Sequence, residues 1–293
     1  MRISLNITNY SWPGGPAEIS TQLGRIIRAA DEGGVDTAWV ADHLIQADPN
    51  STPDAEMYEA YTTLGFLAGQ TQRIRLGTMV TCATYREPAV LVKMVTTLDV
   101  LSGGRAWLGV GAGYHQEEAR SMGLLLPPVA ERFERLEETL RIALHMWSED
   151  DASPFKSAHH HLEGPITSPK PLHRPHPPIL VGGMGERKTL RLVAQYADAC
   201  NLFDIPDGGR TMKRKLSVLA AHCEETGRPY EEIEKTLSTR LCPDESAGSL
   251  IERCVGLAEH GIQHVVLITA APWTEEGVAT IAAAIPALRE VSA

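Results

Sequence analysis

Eight short apolar segments, each followed by a helical or helix-like stretch within fewer than 300 residues, predict an α/β chain closed as a (β/α)8 TIM barrel. Two further observations support that fold class. No shift in composition divides the 293 residues, so we expect a single TIM-barrel domain over 1–293. A stretch rich in proline, histidine and serine, about 149–177, interrupts the rhythm after the fourth βα unit. Because the alternation resumes at once, it reads as an insertion and not as a linker. A doubly wound open sheet is the alternative, since buried parallel strands give the same periodicity in either fold.

The elements follow in order. Residues 3–7 alternate apolar and polar, as a first strand would. A Pro/Gly loop over 12–16 leads into a helix marked by Ile19, Leu23, Ile26, Ile27 and Ala30 and stopped by Gly33 and Gly34. The second strand, 37–41, runs directly into Asp42 and His43. The polar loop that follows contains Pro49 and Pro53, and loops of that length are usually functional or mobile. A helix over 59–70, a third strand over 75–82 and a helix opened by Pro88 and ended by Gly103 and Gly104 come next. The fourth strand, 106–110, runs into Gly111-Ala-Gly113, and Phe133, Leu136, Leu140, Leu144 and Trp147 mark a long helix.

Beyond the insertion, 179–181 is a fifth strand, bounded by prolines and glycines. Gly182, Gly183 and Gly185 form a turn, Leu190, Val193, Ala194 and Ala197 recur at helical spacing, and 199–203 is a sixth strand. A helix through Met212, Leu216, Leu219 and Cys223, a strand near 236–241, a helix through Leu250, Ile251, Cys254 and Leu257, and a strand over 264–269 complete the series. The last helix is expected to kink or end at Pro286.

Composition excludes several function classes. Apolar content of 43% and charged content of 22% are ordinary for a soluble globular protein, and no apolar run approaches the ~20 residues of a membrane helix. The N-terminus shows no signal-peptide pattern, so a cytoplasmic location is expected. A formal net charge of −10 argues against nonspecific nucleic-acid binding. The five cysteines are odd in number and scattered, which fits reduced buried residues better than a disulfide framework or zinc site. His159, His160 and His161, with His173 and His176 nearby, are adjacent loop histidines without spaced carboxylate or cysteine partners, so no metal is expected there.

In a barrel the chemistry sits at the carboxyl ends of the strands. Five such ends carry unusual residues: Asp42-His43; Met79-Val-Thr-Cys-Ala-Thr-Tyr85; Gly111-Ala-Gly-Tyr-His115; the turn Gly182-Gly-Met-Gly-Glu-Arg-Lys-Thr189; and Asn201. Meeting in one mouth, they leave room for a large planar ligand with a phosphate. Gly111 and Gly113 allow close approach. Gly182, Gly183 and Gly185, at the start of a helix with its unpaired N–H groups, suit the phosphate, with Lys188 and Thr189 adding a charge and a hydroxyl. The spacing matches neither the P-loop nor the dinucleotide fingerprint. Each feature also has a plain structural reading: a capping Asp, a tight turn, and Glu117 and Glu118 favouring a helix dipole.

Trp39-Val-Ala-Asp-His43, Leu76-Gly-Thr78, Gly104-Arg-Ala-Trp-Leu-Gly-Val-Gly-Ala-Gly-Tyr114 and Pro178-Ile-Leu-Val-Gly-Gly-Met-Gly-Glu-Arg-Lys-Thr-Leu-Arg-Leu, with Tyr196-Ala-Asp-Ala-Cys-Asn201, resemble the bacterial luciferase-like superfamily over nearly the whole chain. Within it they are most similar to oxidoreductases using the deazaflavin coenzyme F420. The resemblance implies a TIM barrel with an insertion, often dimeric, with the cofactor at the strand ends. It places Asp42 and His43 near the ring and a non-proline cis peptide near Met79-Val80, followed by Thr81. Gly111, Ala112 and Gly113 would line the ring. Gly182, Gly183, Met184, Gly185, Glu186, Lys188 and Thr189 would form the phosphate turn, with Asn201 beside it, and Glu118 matches a frequent acidic position.

The implied activity is hydride transfer between C5 of the deazaflavin and a small organic substrate, with reduction the expected direction. His43 is the expected proton donor or hydrogen-bond partner to the reacting pair, and Asp42 is expected to set its tautomer or its loop. Arg187, Lys188, Arg210, Lys213, Arg214 and Lys215 are expected to receive the coenzyme's acidic tail. The F420-dependent glucose-6-phosphate dehydrogenases of the superfamily carry a Glu directly after the second glycine of the fourth strand. Here that position is Ala112, so sugar oxidation is not expected. An FMN-dependent monooxygenase and a deazaflavin-binding protein without turnover are the two alternatives.

Overall fold

The computed structural model describes residues 1–48, 51–149 and 152–292. Pro49 of the second loop and residues 150–151 of the expected insertion lie outside the described residues. The strands are β1 (Arg2–Ile7), β2 (Thr37–Val40), β3 (Arg75–Thr78), β4 (Thr81–Cys82), β5 (Leu108–Gly111), β6 (Phe155–Lys156), β7 (His161–Leu162), β8 (Ile179–Gly182), β9 (Ala199–Phe203), β10 (Glu234–Arg240) and β11 (His264–Ile268). The helices are α1 (Pro16–Gly33), α2 (Ala60–Gln70), α3 (Pro88–Ser102), α4 (Gln116–Met122), α5 (Val129–Trp147), α6 (Thr189–Tyr196), α7 (Arg210–Thr226), α8 (Ala247–Ala258) and α9 (Glu275–Arg289).

Nine strands form one sheet in the order β3-β2-β1-β11-β10-β9-β8-β5-β4, and every pairing in it is parallel. The two ends of that order meet. A parallel bridge joins Leu76 of β3 to Ala106, just before β5. β3 and β4 are the two halves of the predicted third strand, parted by a cis peptide between Met79 and Val80. Counted as one, they leave eight strand positions around a closed ring, which is a TIM-barrel-like fold and rules out the open sheet. The expected 149–177 region carries a two-stranded antiparallel hairpin, β6–β7. His159 and His160 beside it face α5, bonding Glu134 and Glu138 at 3.0 and 2.6 Å.

Inside the ring, Trp39, Trp107, Leu180, Ala199 and Val266 form a buried cluster, with Met79 and Val80 packed against it. The rings of Trp39 and Trp107 lie 5.5 Å apart. Gly77 makes room for this pair: a Cβ there would stand 2.7 Å from the Trp39 ring and 2.8 Å from the Trp107 Cβ. The cluster plugs the barrel, so a ligand is confined to its mouth. The larger core lies between strands and helices, where α1, for example, buries Ile19, Leu23, Ile26 and Ile27. α9 runs through Pro286 to Arg289, so the proline does not end it; it lies in the last turn, where little helix remains to be disrupted. No helix among the described residues is long and apolar enough to cross a membrane.

Candidate active site

The carboxyl ends of the strands surround a cavity of about 610 Å³. Asp42, His43, Met79, Val80, Thr81, Gly111, Ala112, Gly113, Glu118, Gly182, Gly183, Thr189 and Asn201 all line it. Met184, Gly185, Glu186 and Lys188 do not. They line an adjoining cavity of about 760 Å³, and Phe133 borders both. Residues remote in sequence are thus brought to one mouth because each follows a strand of the same parallel ring.

Glu118 is the centre of one wall. It lies on the first turn of α4, capped by His115, whose Nδ1 accepts from the Glu118 N–H. Its carboxylate is fully buried. It accepts from His43 Nδ1 at 2.9 Å, from the Leu44 N–H at 2.6 Å and from the Tyr85 hydroxyl at 3.0 Å. Burial pushes this carboxyl up, but the His43 bond, the Leu44 N–H, the His43 charge and the Tyr85 hydroxyl outweigh it and hold the group below its ordinary value. Burial also raises the Tyr85 phenol, and the Glu118 charge adds to the rise, so Tyr85 stays protonated as a donor. Since the Nδ1–H is committed to the Glu118 carboxylate, Nε2 is the imidazole atom left to exchange a proton in the cavity. The Tyr114 hydroxyl stands 3.4 Å from it.

This arrangement corrects one expectation. Asp42 does not set the His43 tautomer; Glu118 does. The Asp42 carboxylate is instead held by both terminal nitrogens of Arg86, at 2.5 and 2.9 Å. Arg86 also bonds Glu59 at 2.7 Å and lies over the Tyr61 ring. Glu59 is the N-cap of α2, so this charge chain ties the end of β2 to the start of α2.

The glycines have a more specific cause than ligand approach. The side chain of Val80, which follows the cis peptide, fills the space that Cβ atoms on Gly111 and Gly182 would need, each 2.9 Å away. Gly113 has a φ of +75°, and a Cβ there would stand 2.2 Å from the Cys82 sulfur. Thr81 bonds Thr78 and Tyr61 beneath the cavity. Asn201 uses its side-chain oxygen on Thr236 and Ser238, at 2.8 and 3.1 Å.

In the turn, Gly183 has a φ of +114°. Thr189 opens α6, and its hydroxyl oxygen would be 2.8 Å from a Cβ on Gly185. The Glu186 side chain bonds Arg214 and Lys215 of α7, at 2.9 and 2.7 Å, and so ties the turn to that helix. Arg210 is turned to the Asp207 carbonyl. The residues present fit a phosphate held by backbone N–H groups and the Thr189 hydroxyl at a helix start.

Sequence reasoning missed Tyr85, Arg86 and Tyr114 as partners in the site. Tyr85 and Tyr114 stood within the expected strand ends, but nothing local pointed to their partners, and Arg86 carried no local cue.

A family model for luciferase-like monooxygenases matches residues 1–287. This chain belongs to that family. Among related members, an F420-dependent glucose-6-phosphate dehydrogenase from Kineococcus radiotolerans is 30% identical over 82% of this chain and 67% of that protein. The chain spans about two thirds of the length of the curated relatives it matches. An F420-dependent secondary alcohol dehydrogenase, solved with an F420-acetone adduct, superposes with a TM-score of 0.82 at 21% identity, covering 99% of this chain and 100% of that one. A riboflavin lyase solved with modified FMN has the same TM-score at 13% identity, covering 100% and 92%. These two likenesses concern the fold alone.

Proposed function

We propose that this luciferase-like protein is an F420-dependent oxidoreductase acting on a small organic substrate, with hydride passing between the deazaflavin C5 and that substrate. The observation that carries the reading is the single cavity joining His43, anchored by buried Glu118, to the glycine turn at the start of α6. The relatives named F420-dependent support it. A bound deazaflavin supplies a hydride donor or acceptor. The protein supplies position and a proton. Glu118 fixes the His43 ring, and His43 Nε2 gives or takes a proton at the substrate. The Gly182–Gly183 turn and Thr189 hold the phosphate, while the tryptophan cluster beneath excludes water.

Sugar-phosphate oxidation is not part of the proposal, because Ala112 brings no acid to the position after Gly111. The sequence-based expectations of a cytoplasmic location and a homodimer stand with it as proposals. The test is oxidation of reduced F420 with a panel of aldehydes, ketones and enones, using wild type and His43→Asn. Substrate-dependent oxidation that falls by about 10²-fold or more in the variant supports the reading. No oxidation with any of them, or an undiminished rate in the variant, overturns it in this form.

A further inference from the structure

The order of strands gives the main cavity two facing walls. The glycine turn follows β8, Gly111 ends β5, and Val80 stands between β3 and β4, on consecutive positions of the ring. Facing them, β10, β11 and β1 carry Arg240, Ile268 and Asn6, which are register partners and all line the cavity. Counted either way round the ring, four steps separate β10 from the split strand β3–β4, so Arg240 stands across the mouth from Val80. Leu5 and Ile7 of β1, Leu237 of β10 and Leu267 of β11 turn outward into the core under the helices. By alternation, Asn6, Ile268 and Arg240 turn inward.

Two of these inward side chains lack a partner in the chain. Asn6 is 3% exposed, and its Oδ1 is buried without a hydrogen bond. Buried polar groups are nearly always paired, so one left open at a cavity calls for a partner from outside. The Arg240 guanidinium is exposed at the mouth and has no ion pair or hydrogen bond among the described residues. The acids around it are engaged elsewhere. Glu245 pairs with Arg253 at 2.9 Å, Asp204 accepts from the Thr239 hydroxyl at 2.8 Å, Asp42 is clamped by Arg86, and Glu118 is bonded to His43. Asp48, which also lines the cavity, has an interaction of its own within the chain. Arg253 donates to the Arg240 carbonyl at 3.1 Å and so fixes the strand end that carries the unpaired guanidinium.

We infer that this wall anchors the substrate and that the substrate is a small carboxylic acid, its carboxylate meeting the Arg240 guanidinium and the Asn6 amide, its apolar part lying over Ile268 and its carbonyl or enone turned to His43. The inference rests on the deazaflavin reading above and deepens it by naming the substrate class. A guanidinium offers a fork of donors and an amide offers two more, which together suit the two oxygens of a carboxylate. A phosphate dianion would call for a second cation, and none lines this wall among the described residues. A deazaflavin held at the β8 turn and laid along the Val80 side leaves this wall to the substrate. His43 follows β2, between β1 and β3, where the two walls meet.

The test is oxidation of reduced F420 by a panel of 2-oxo, 4-oxo and 2-enoic acids, each beside its primary amide. Coenzyme affinity is followed separately by fluorescence quenching. In wild type at least one acid is expected to exceed its amide by about tenfold or more in kcat/KM. Arg240→Gln should cut that preference to about threefold or less, through KM and with F420 affinity held within about threefold. Asn6→Ala should lower the preference as well, and Arg240→Lys, which keeps the charge, should restore part of it. Amides used as well as every acid, a preference that Arg240→Gln leaves above about threefold, or a fall in F420 affinity that accounts for the loss, overturns the inference while the deazaflavin reading stands. So does turnover of the neutral aldehydes, ketones or enones with none of the acids. No turnover with any compound overturns the two together.

Discussion

The His43 imidazole and the Glu118 carboxylate are joined by a hydrogen bond of 2.9 Å from Nδ1 to Oε2, across 75 residues of sequence. The carboxylate is fully buried and accepts from the Leu44 N–H and the Tyr85 hydroxyl as well. It therefore fixes three things at once: the tautomer of His43, the loop that carries it, and the phenol beside it.

Glu118→Gln is expected to keep the shape of this wall but remove the negative charge that the His43 Nδ1–H faces. Turnover in the proposed hydride transfer should fall by about 10²-fold or more, with coenzyme affinity nearly unchanged. Glu118→Ala should instead lower stability by about 2–4 kcal/mol, because buried donors lose their acceptor. Steady-state kinetics and thermal melts separate the two outcomes.

Arg86 neutralises Asp42, whose side chain is only 1% exposed. Arg86→Ala leaves that carboxylate buried and unpaired, which should cost about 3–5 kcal/mol of stability in a denaturant melt. Asp42→Asn/Arg86→Met, which removes both charges, should recover a good part of that loss.

Gly113→Ala meets two obstacles, a φ of +75° and the Cys82 sulfur 2.2 Å from the new Cβ. A loss of at least about 2 kcal/mol is expected from the clash and the left-handed backbone together. Adding Cys82→Ala removes the sulfur and should restore the steric part, leaving about 1–2 kcal/mol for the backbone. Full restoration would show that the backbone conformation costs nothing here.

At the opposite end of the barrel, Asp36 bonds Arg75 at 2.5 Å, and Glu234 bonds Arg2 at 2.5 Å and His264 at 2.8 Å. Burial pushes both carboxyls up. His264, Arg75 and, for Glu234, Arg2 overcome this and hold them below their ordinary values. Their stabilisation is therefore fully present above the ordinary carboxylate range and is lost as the pH falls from about 4 towards the lowered folded values. Glu234→Gln should flatten the acid limb of a stability-against-pH curve and leave its neutral limb lower.

Periodicity and glycine stops made the ring of strands legible, because apolar runs of strand length alternate with helical repeats from Ile3 to Thr269. Closure was not legible, since the Leu76–Ala106 bridge is a register fact and open sheets share the pattern. The strand ends were legible as a group, and thirteen of the expected residues line one cavity. Their partners were not. Glu118 looked like one of two acids at a helix start, and only the fold turns it inward to His43 while leaving Glu117 exposed. Arg86 and Tyr85 act through long-range pairings that no local spacing records. The pairing of Glu186 with Arg214 and Lys215 of α7 is another such long-range contact.

The most direct measurement is a paired titration of the purified protein with oxidised F420 and with FMN, following quenching of each cofactor's fluorescence. Wild type should bind F420 tightly and FMN at least about a hundredfold more weakly, and Gly183→Val should abolish F420 binding while the protein stays folded. FMN binding with no binding of F420 would contradict the central claim and move the protein to oxygen-dependent flavin chemistry.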